Sequence, residues 1–173
     1  MVRFWPTGRR DLGNRDMAQE KLALGKKVPD FSAASTAGEF RLSRCRGKTL
    51  VLYFYPKDNT PGCTSESREF AAADAAFAAA GARIVGVSRD SLASHERFRA
   101  KYELPFELIS DAEESLCSLF GVIRQKMMYG KSVRGIERST FVIDAQGVLR
   151  HEWRGLKVPG HVTEVLQTVQ QLA

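Results

Sequence analysis

The chain predicts an α/β fold: a mixed central β-sheet flanked by helices, with a β-hairpin at its N-terminal side. Three observations carry that prediction. The run "TLVLYFYP" (49–56) is apolar and aromatic throughout, as a strand covered on both faces must be. Strand-like and helix-like runs then alternate as far as Phe120, the order that places strands parallel to one another. Two further strand-like runs at 139–153, joined by Asp-Ala-Gln-Gly, add antiparallel strands and make the sheet mixed.

Each element has its own signal. "PDFSAAST" and "GEFRLS" are short extended pieces around Ala37-Gly38 and form the hairpin. Residues 63–80 are alanine-rich, with Phe70 and Phe77 two turns apart and Gly81 as a stop, and predict a helix. "ARIVGVS" (82–88) is the next buried strand. "SLASHERFRAKY" (91–102) is helical, with Ser91 as its N-cap. "FELIS" is a short strand and Asp111–Phe120 a short helix. "GHVTEVLQTVQQL" (160–172) closes the chain as a helix with Val162, Val165, Leu166 and Val169 on one stripe.

At 173 residues and 43% apolar composition, the chain is sized for one domain with a packed core. No apolar run is long enough to span a bilayer, and the first residues lack the apolar segment of a secretory signal, so the expected setting is cytoplasmic. Of the net charge of +6, residues 1–27 contribute +4, from seven basic and three acidic side chains. The expected organisation is therefore a flexible basic leader over 1–20 and one domain over 21–173. Met17 is an alternative start, and a basic arm that touches nucleic acid is a second use for the leader. Cys45, Cys63 and Cys117 are odd in number and irregular in spacing, which argues against a secreted disulfide framework. The three separated histidines give no metal-ligand pattern.

Cys63 stands out. Pro61-Gly62 precede it and "TSE" follows, which places it in the first turn of a helix. There the unpaired N–H groups and the helix dipole stabilise an anion, and thiolate is the reactive form of cysteine. Taken alone, it could equally be a small buried filler. Its neighbours decide: Pro56, Thr60 and Cys63 form P-x-x-x-T-x-x-C directly after a strand. This resembles the active-site signature of the peroxiredoxins, and "YFYPKDNTPGCTSE" resembles their bacterioferritin comigratory protein, or peroxiredoxin Q, subfamily. The likeness continues through "GVSRDSLASHERF", "FELISD" and "MMYGKSVRGIERSTFVID".

The resemblance implies a thioredoxin-like fold and a thiol peroxidase acting on hydrogen peroxide and organic hydroperoxides, without metal, haem or flavin. It implies that Cys63 attacks the peroxide and becomes a sulfenic acid. Thr60 would orient thiolate and peroxide, Pro56 would shield the sulfur from water, and Arg138 would stabilise the thiolate and bond the peroxide. Arginine and backbone N–H groups suit the charge that O–O cleavage develops.

Relatives of this kind carry a resolving cysteine at positions that are Arg68 and Arg99 here, so the expected route has one cysteine. Thioredoxin, glutaredoxin with glutathione, or another external thiol would reduce the sulfenic acid, and the protein would act as a monomer or weak homodimer. Cys117 is expected to be a packed thiol, with an unconventional resolving role as the alternative. Cys45 reads as a surface cysteine in a basic loop between Arg44 and Arg46. Glu66 reads as a helix-capping carboxylate, and "KMMYGK" (126–131) either lines the substrate mouth or packs as an apolar patch. A dithiol oxidoreductase is disfavoured, because Glu66 stands three residues after Cys63 where a second cysteine would be needed. A peroxide sensor that uses the same thiolate stays open.

Overall fold

The computed structural model describes residues 22–173; the leader and Met17 lie outside the described residues. Strands β1 (Ser32–Ser35) and β2 (Gly38–Arg41) form the hairpin, and a short 3-10 turn at Leu42–Cys45 leads to β3 (Thr49–Phe54). Then come α1 (Pro61–Ala72), α2 (Asp74–Ala79), β4 (Ala82–Ser88), α3 (Leu92–Tyr102), β5 (Leu108–Ser110) and α4 (Ser115–Phe120). A hairpin of β6 (Ile123–Met128) and β7 (Lys131–Ile136) follows, then β8 (Ser139–Ile143), β9 (Leu149–Arg154) and α5 (His161–Leu172). Seven strands make one sheet in the order β2-β1-β5-β4-β3-β8-β9. β3, β4 and β5 run parallel, and β8 and β9 extend the sheet antiparallel, so the sheet is mixed as expected.

Side chains of a strand alternate between faces, and here the alternation divides the core. Leu50, Leu52 and Phe54 of β3 point into a layer with Val85, Val87, Phe120 and Phe141. Val51, Tyr53 and Tyr55 point into the other layer, with Phe70, Phe98, Val165 and Val169. Helices α1, α2, α3 and α5 cover this second face, while α4 and the N-terminal hairpin cover the first. That division places the three cysteines: Cys63 belongs to the second layer, Cys45 and Cys117 to the first.

Three local departures from expectation have physical causes. The helix expected at 63–80 starts at Pro61, whose fixed φ suits a first helical position, and is interrupted at Ala73. The helix expected from Asp111 starts at Ser115, because the Asp111 carboxylate itself accepts the N–H groups of Leu116 (3.1 Å) and Cys117 (2.7 Å) and caps the helix from outside. The β6–β7 hairpin carries no Asn-Gly or Asp-Gly signal. Tyr129 and Gly130 nevertheless both take positive φ (54° and 77°), the backbone that a two-residue hairpin turn needs.

At the centre, Gly86 of β4 leaves room for the Tyr53 ring. A Cβ there would lie 2.8 Å from Leu108 Cδ2 and 2.9 Å from Tyr53 Cζ, both fully buried. Gly86→Ala is expected to cost about 1–3 kcal/mol by overpacking, read as a lower urea midpoint with an unchanged slope.

Candidate active site

The site is built where β3 ends. Tyr55 and the exposed Pro56 lead into a turn over 57–60, with Asn59 in the left-handed region at φ 62°. Asparagine tolerates that conformation better than most residues. The Thr60 hydroxyl donates to the Lys57 carbonyl at 2.8 Å, which leaves its oxygen free to accept from elsewhere. Thr60 is also the residue before α1, and its carbonyl takes the first helical bond, from the Thr64 N–H at 2.8 Å.

Pro61, Gly62 and Cys63 form the opening of α1, so the sulfur stands at the positive end of a twelve-residue helix, as the sequence predicts. Cys63 is 1% exposed and packs among the aromatic residues of the second layer. The Arg138 guanidinium reaches it from just before β8: Nη2 lies 3.4 Å from Sγ, within donating distance. Cys63 and Arg138 meet because β8 pairs with β3 and sets Ser139 opposite Phe54. Gly62 permits the approach, since a Cβ there would stand 3.1 Å from Arg138 Nη2.

Arg138 has a second partner that sequence reasoning missed. Glu66 is fully buried, and its Oε1 accepts from Arg138 Nη1 at 2.7 Å. It is not the helix cap that its position suggests. It faces inward because positions 63, 66, 67 and 70 form the buried stripe of α1, and that 3–4 spacing was the available signal. Its second oxygen, Oε2, has no partner among the described residues. Burial pushes the Glu66 carboxyl up to about 7, against the opposing pull of the Arg138 charge and hydrogen bond. One guanidinium therefore serves two acidic groups in an enclosed space.

The other cysteines differ from this one. Cys45 is buried rather than in a surface loop, and the guanidinium it meets belongs to Arg83 of β4, not to Arg44 or Arg46, with Nη1 at 3.5 Å. Burial pushes its thiol up despite that charge. Cys117 is fully buried, and its thiol is pushed far up by burial and by Asp111, an inert packed group as expected. Arg68 faces a cleft of about 650 Å³ on the water side of α1, with Asn59, Pro61, Thr64 and Tyr102. Its guanidinium carbon stands 5.9 Å from the centre of the Tyr102 ring. Arg99 turns its Nε to the Phe106 carbonyl at 3.0 Å. "KMMYGK" lies in the β6–β7 hairpin, where Met127 and Tyr129 are exposed rather than packed.

Residues 24–152 match the model of the AhpC/TSA family. The chain is 46% identical to the peroxiredoxin Bcp of Bacillus subtilis over 153 residues, which is 88% of this chain and 98% of that protein. It is 52% identical to the peroxiredoxin Bcp of Xanthomonas campestris over 124 residues, 72% of this chain and 78% of that protein. A solved structure of Xanthomonas campestris peroxiredoxin Q superposes with a TM-score of 0.80 at 46% identity, covering 87% of this chain and 96% of that one. A structure of the bacterioferritin comigratory protein of the same organism, studied for its alkyl peroxide reduction, superposes at 0.81 and 45% identity, covering 87% and 97%.

The buried carboxyl makes the fold pH-sensitive in a defined direction. Below about 4.5 both native and unfolded chains hold the Glu66 proton. Between about 4.5 and 7 only the native chain holds it, so raising the pH favours unfolding there. The loss across that window is up to about 3 kcal/mol. Glu66→Gln removes this dependence. Its melting temperature relative to the wild type is expected to rise from pH 5 to pH 8; parallel curves would show that Glu66 does not titrate there.

Proposed function

This chain belongs to the AhpC/TSA family and is a peroxiredoxin, a thiol-dependent peroxidase, and we propose that Cys63 is its peroxidatic sulfur. The observation that carries this reading is the Arg138 Nη2 to Cys63 Sγ distance of 3.4 Å at a helix N-terminus. The thiolate attacks the near oxygen of a peroxide: an S–O bond forms, the O–O bond breaks, and the leaving oxygen departs with the electron pair. It takes up a proton as water or alcohol, and Cys63 becomes a sulfenic acid.

Charge moves during this step from sulfur to the leaving oxygen, 3–4 Å away in any productive pose. Arg138 stands where it can follow that charge, and the open N–H groups at the start of α1 add further fixed donors. The Thr60 oxygen, whose O–H donates to the Lys57 backbone carbonyl, accepts from the peroxide O–H and aligns it with the sulfur. Pro56, at the exposed mouth, limits the water that reaches the sulfur. The side chain of Arg138 keeps 17% exposure while the sulfur beside it keeps almost none, so the guanidinium is the wet edge of the site.

The sulfenic acid is resolved by a thiol from outside the chain. Cys45 and Cys117 sit on the opposite face of the sheet from Cys63. A disulfide needs Cα atoms within about 7 Å, and the sheet stands between Cys63 and the other two in this arrangement. The external thiol adds to the sulfenic sulfur and expels water; a second thiol then attacks the reductant's sulfur in the mixed disulfide, forming a new disulfide and releasing the Cys63 thiolate. Thioredoxin and glutaredoxin with glutathione are the reductant classes that fit this route. The cleft beside Pro61 and Thr64 gives such a partner a seat against the same helical turn.

Steady-state consumption of hydrogen peroxide with thioredoxin or glutathione systems tests the reading. Cys63→Ser is expected to abolish turnover, and the Cys45→Ser/Cys117→Ser double variant to retain it. A Cys63 disulfide with either cysteine, formed at high yield by limiting peroxide and required for turnover, would overturn the one-cysteine route. A single stoichiometric oxidation with every reductant would favour the sensor. Arg138→Ala is expected to slow oxidation of Cys63 by about 10²–10³-fold, the usual loss for one transition-state donor. An unchanged rate would remove Arg138 from the mechanism.

A further inference from the structure

We infer that His95 is a positioning residue for the peroxide step: with Asp58 it clasps the turn that carries Thr60 onto α3 and β5. The inference rests on Cys63 being the reacting sulfur, and it concerns what holds the loop above that sulfur in place.

Asp58 lies between Pro56 and Thr60, and its side chain is only 2% exposed, while that of His95 is fully buried. His95 Nδ1 lies 2.8 Å from Asp58 Oδ2, and its Nε2 lies 2.9 Å from the Ile109 carbonyl of β5. One ring nitrogen thus faces the turn and the other the sheet. Asp58 takes two more side-chain donors, Tyr55 Oη at 2.7 Å on Oδ1 and Ser94 Oγ at 2.8 Å on Oδ2. Burial alone would push this carboxyl up, but the donors, His95 foremost, outweigh it and hold the group below its ordinary range. The Asp58 N–H donates in turn to Asp90 Oδ2 (2.9 Å), which also accepts from Ser88 Oγ at 2.6 Å.

Asp58, Asp90 and His95 bring ligand-type atoms within 4.8 Å of one another, as a metal site would. Asp58 Oδ2, Asp90 Oδ2 and both His95 nitrogens, however, are already engaged in this hydrogen-bond set. The cluster is a fastening. Its consequence is local: with Asp58 fixed at both its side chain and its N–H, the left-handed Asn59 and the Thr60–Lys57 bond have one arrangement. Thr60 must meet a peroxide within a fraction of an ångström of its productive position, and a misplacement of ~1 Å can cost about 100-fold. An apolar pair could fill the space as tightly, but it would not set the orientation of the turn.

The test is the second-order rate of Cys63 oxidation by hydrogen peroxide, read by intact mass after rapid quenching, alongside iodoacetamide alkylation of the same sulfur. His95→Gln has a single amide group in place of two ring nitrogens, and is expected to slow oxidation about 10- to 100-fold without slowing alkylation. Asp58→Asn is expected to act in the same direction, and the double variant to be no slower than the slower single one, because both act through one contact. A His95→Gln rate equal to wild type, additive effects of the two substitutions, or equal slowing with both reagents would each overturn the clasp. Should His95→Gln fail to fold, Ser94→Ala decides the matter: loss of one Asp58 donor is expected to slow oxidation about 2- to 10-fold, and an unchanged rate refutes the proposal. Wild-type protein in which limiting peroxide does not oxidise Cys63 would instead defeat the assignment of the sulfur.

Discussion

One guanidinium shared between a thiol and a carboxyl is the interaction on which the rest of the structure turns. Arg138 touches Cys63 with one nitrogen and Glu66 with another, inside a layer of aromatic side chains. Burying any of these groups alone would be costly, because charge in a low-dielectric interior needs a partner. The cost falls first on Glu66, whose carboxyl is held up to about 7 even with Arg138 beside it. The carboxyl engages only one nitrogen of the cation, and another faces the sulfur. In the proposed reaction, negative charge lies first on the sulfur and then on a departing oxygen, and the same cation stands beside both positions.

The sheet is the second constraint. β3 delivers the loop and the helix mouth, and β8, paired to it antiparallel, delivers Arg138 at the same end. Because successive side chains alternate, the sheet also acts as a wall. Cys63 and its aromatic surroundings lie on one side, and Cys45 and Cys117 lie on the other with burial holding both thiols protonated. The chain carries three thiols, yet only one of them sits beside the groups that peroxide chemistry needs. The arginines at 68 and 99 complete the picture, one facing open solvent and the other tied to a backbone carbonyl. On the proposed one-cysteine route, chemistry after the first oxidation falls to a partner molecule.

Elements with strong local signals were legible. The strands 49–54 and 82–88, the helix capped by Ser91 and the amphipathic last helix all lie where periodicity and capping place them. Elements whose signal is not local were missed. The Tyr129-Gly130 turn has no usual hairpin residue at its first position, so the sequence of β6 and β7 suggests a substrate mouth or an apolar patch rather than a hairpin. Cys45 was read as exposed from its basic neighbours, but the following β3 draws the 3-10 turn into the core.

What the sequence determined by itself is the mixed α/β class and the cysteine at a helix mouth, together with the P-x-x-x-T-x-x-C spacing that marks it. These are properties of short stretches, governed by backbone propensity and by the open N–H groups of a first helical turn. What only the tertiary structure decided is that Glu66 shares the sulfur's enclosure with Arg138, the residue the family resemblance already pointed to, and that His95 fastens Asp58. Arg138 lies 75 positions from Cys63, and His95 lies 37 from Asp58. Glu66, although only one turn away, is defined by the cation it meets. Burial and partnership between residues distant in the chain come from strand pairing and layer packing, and no local pattern encodes them.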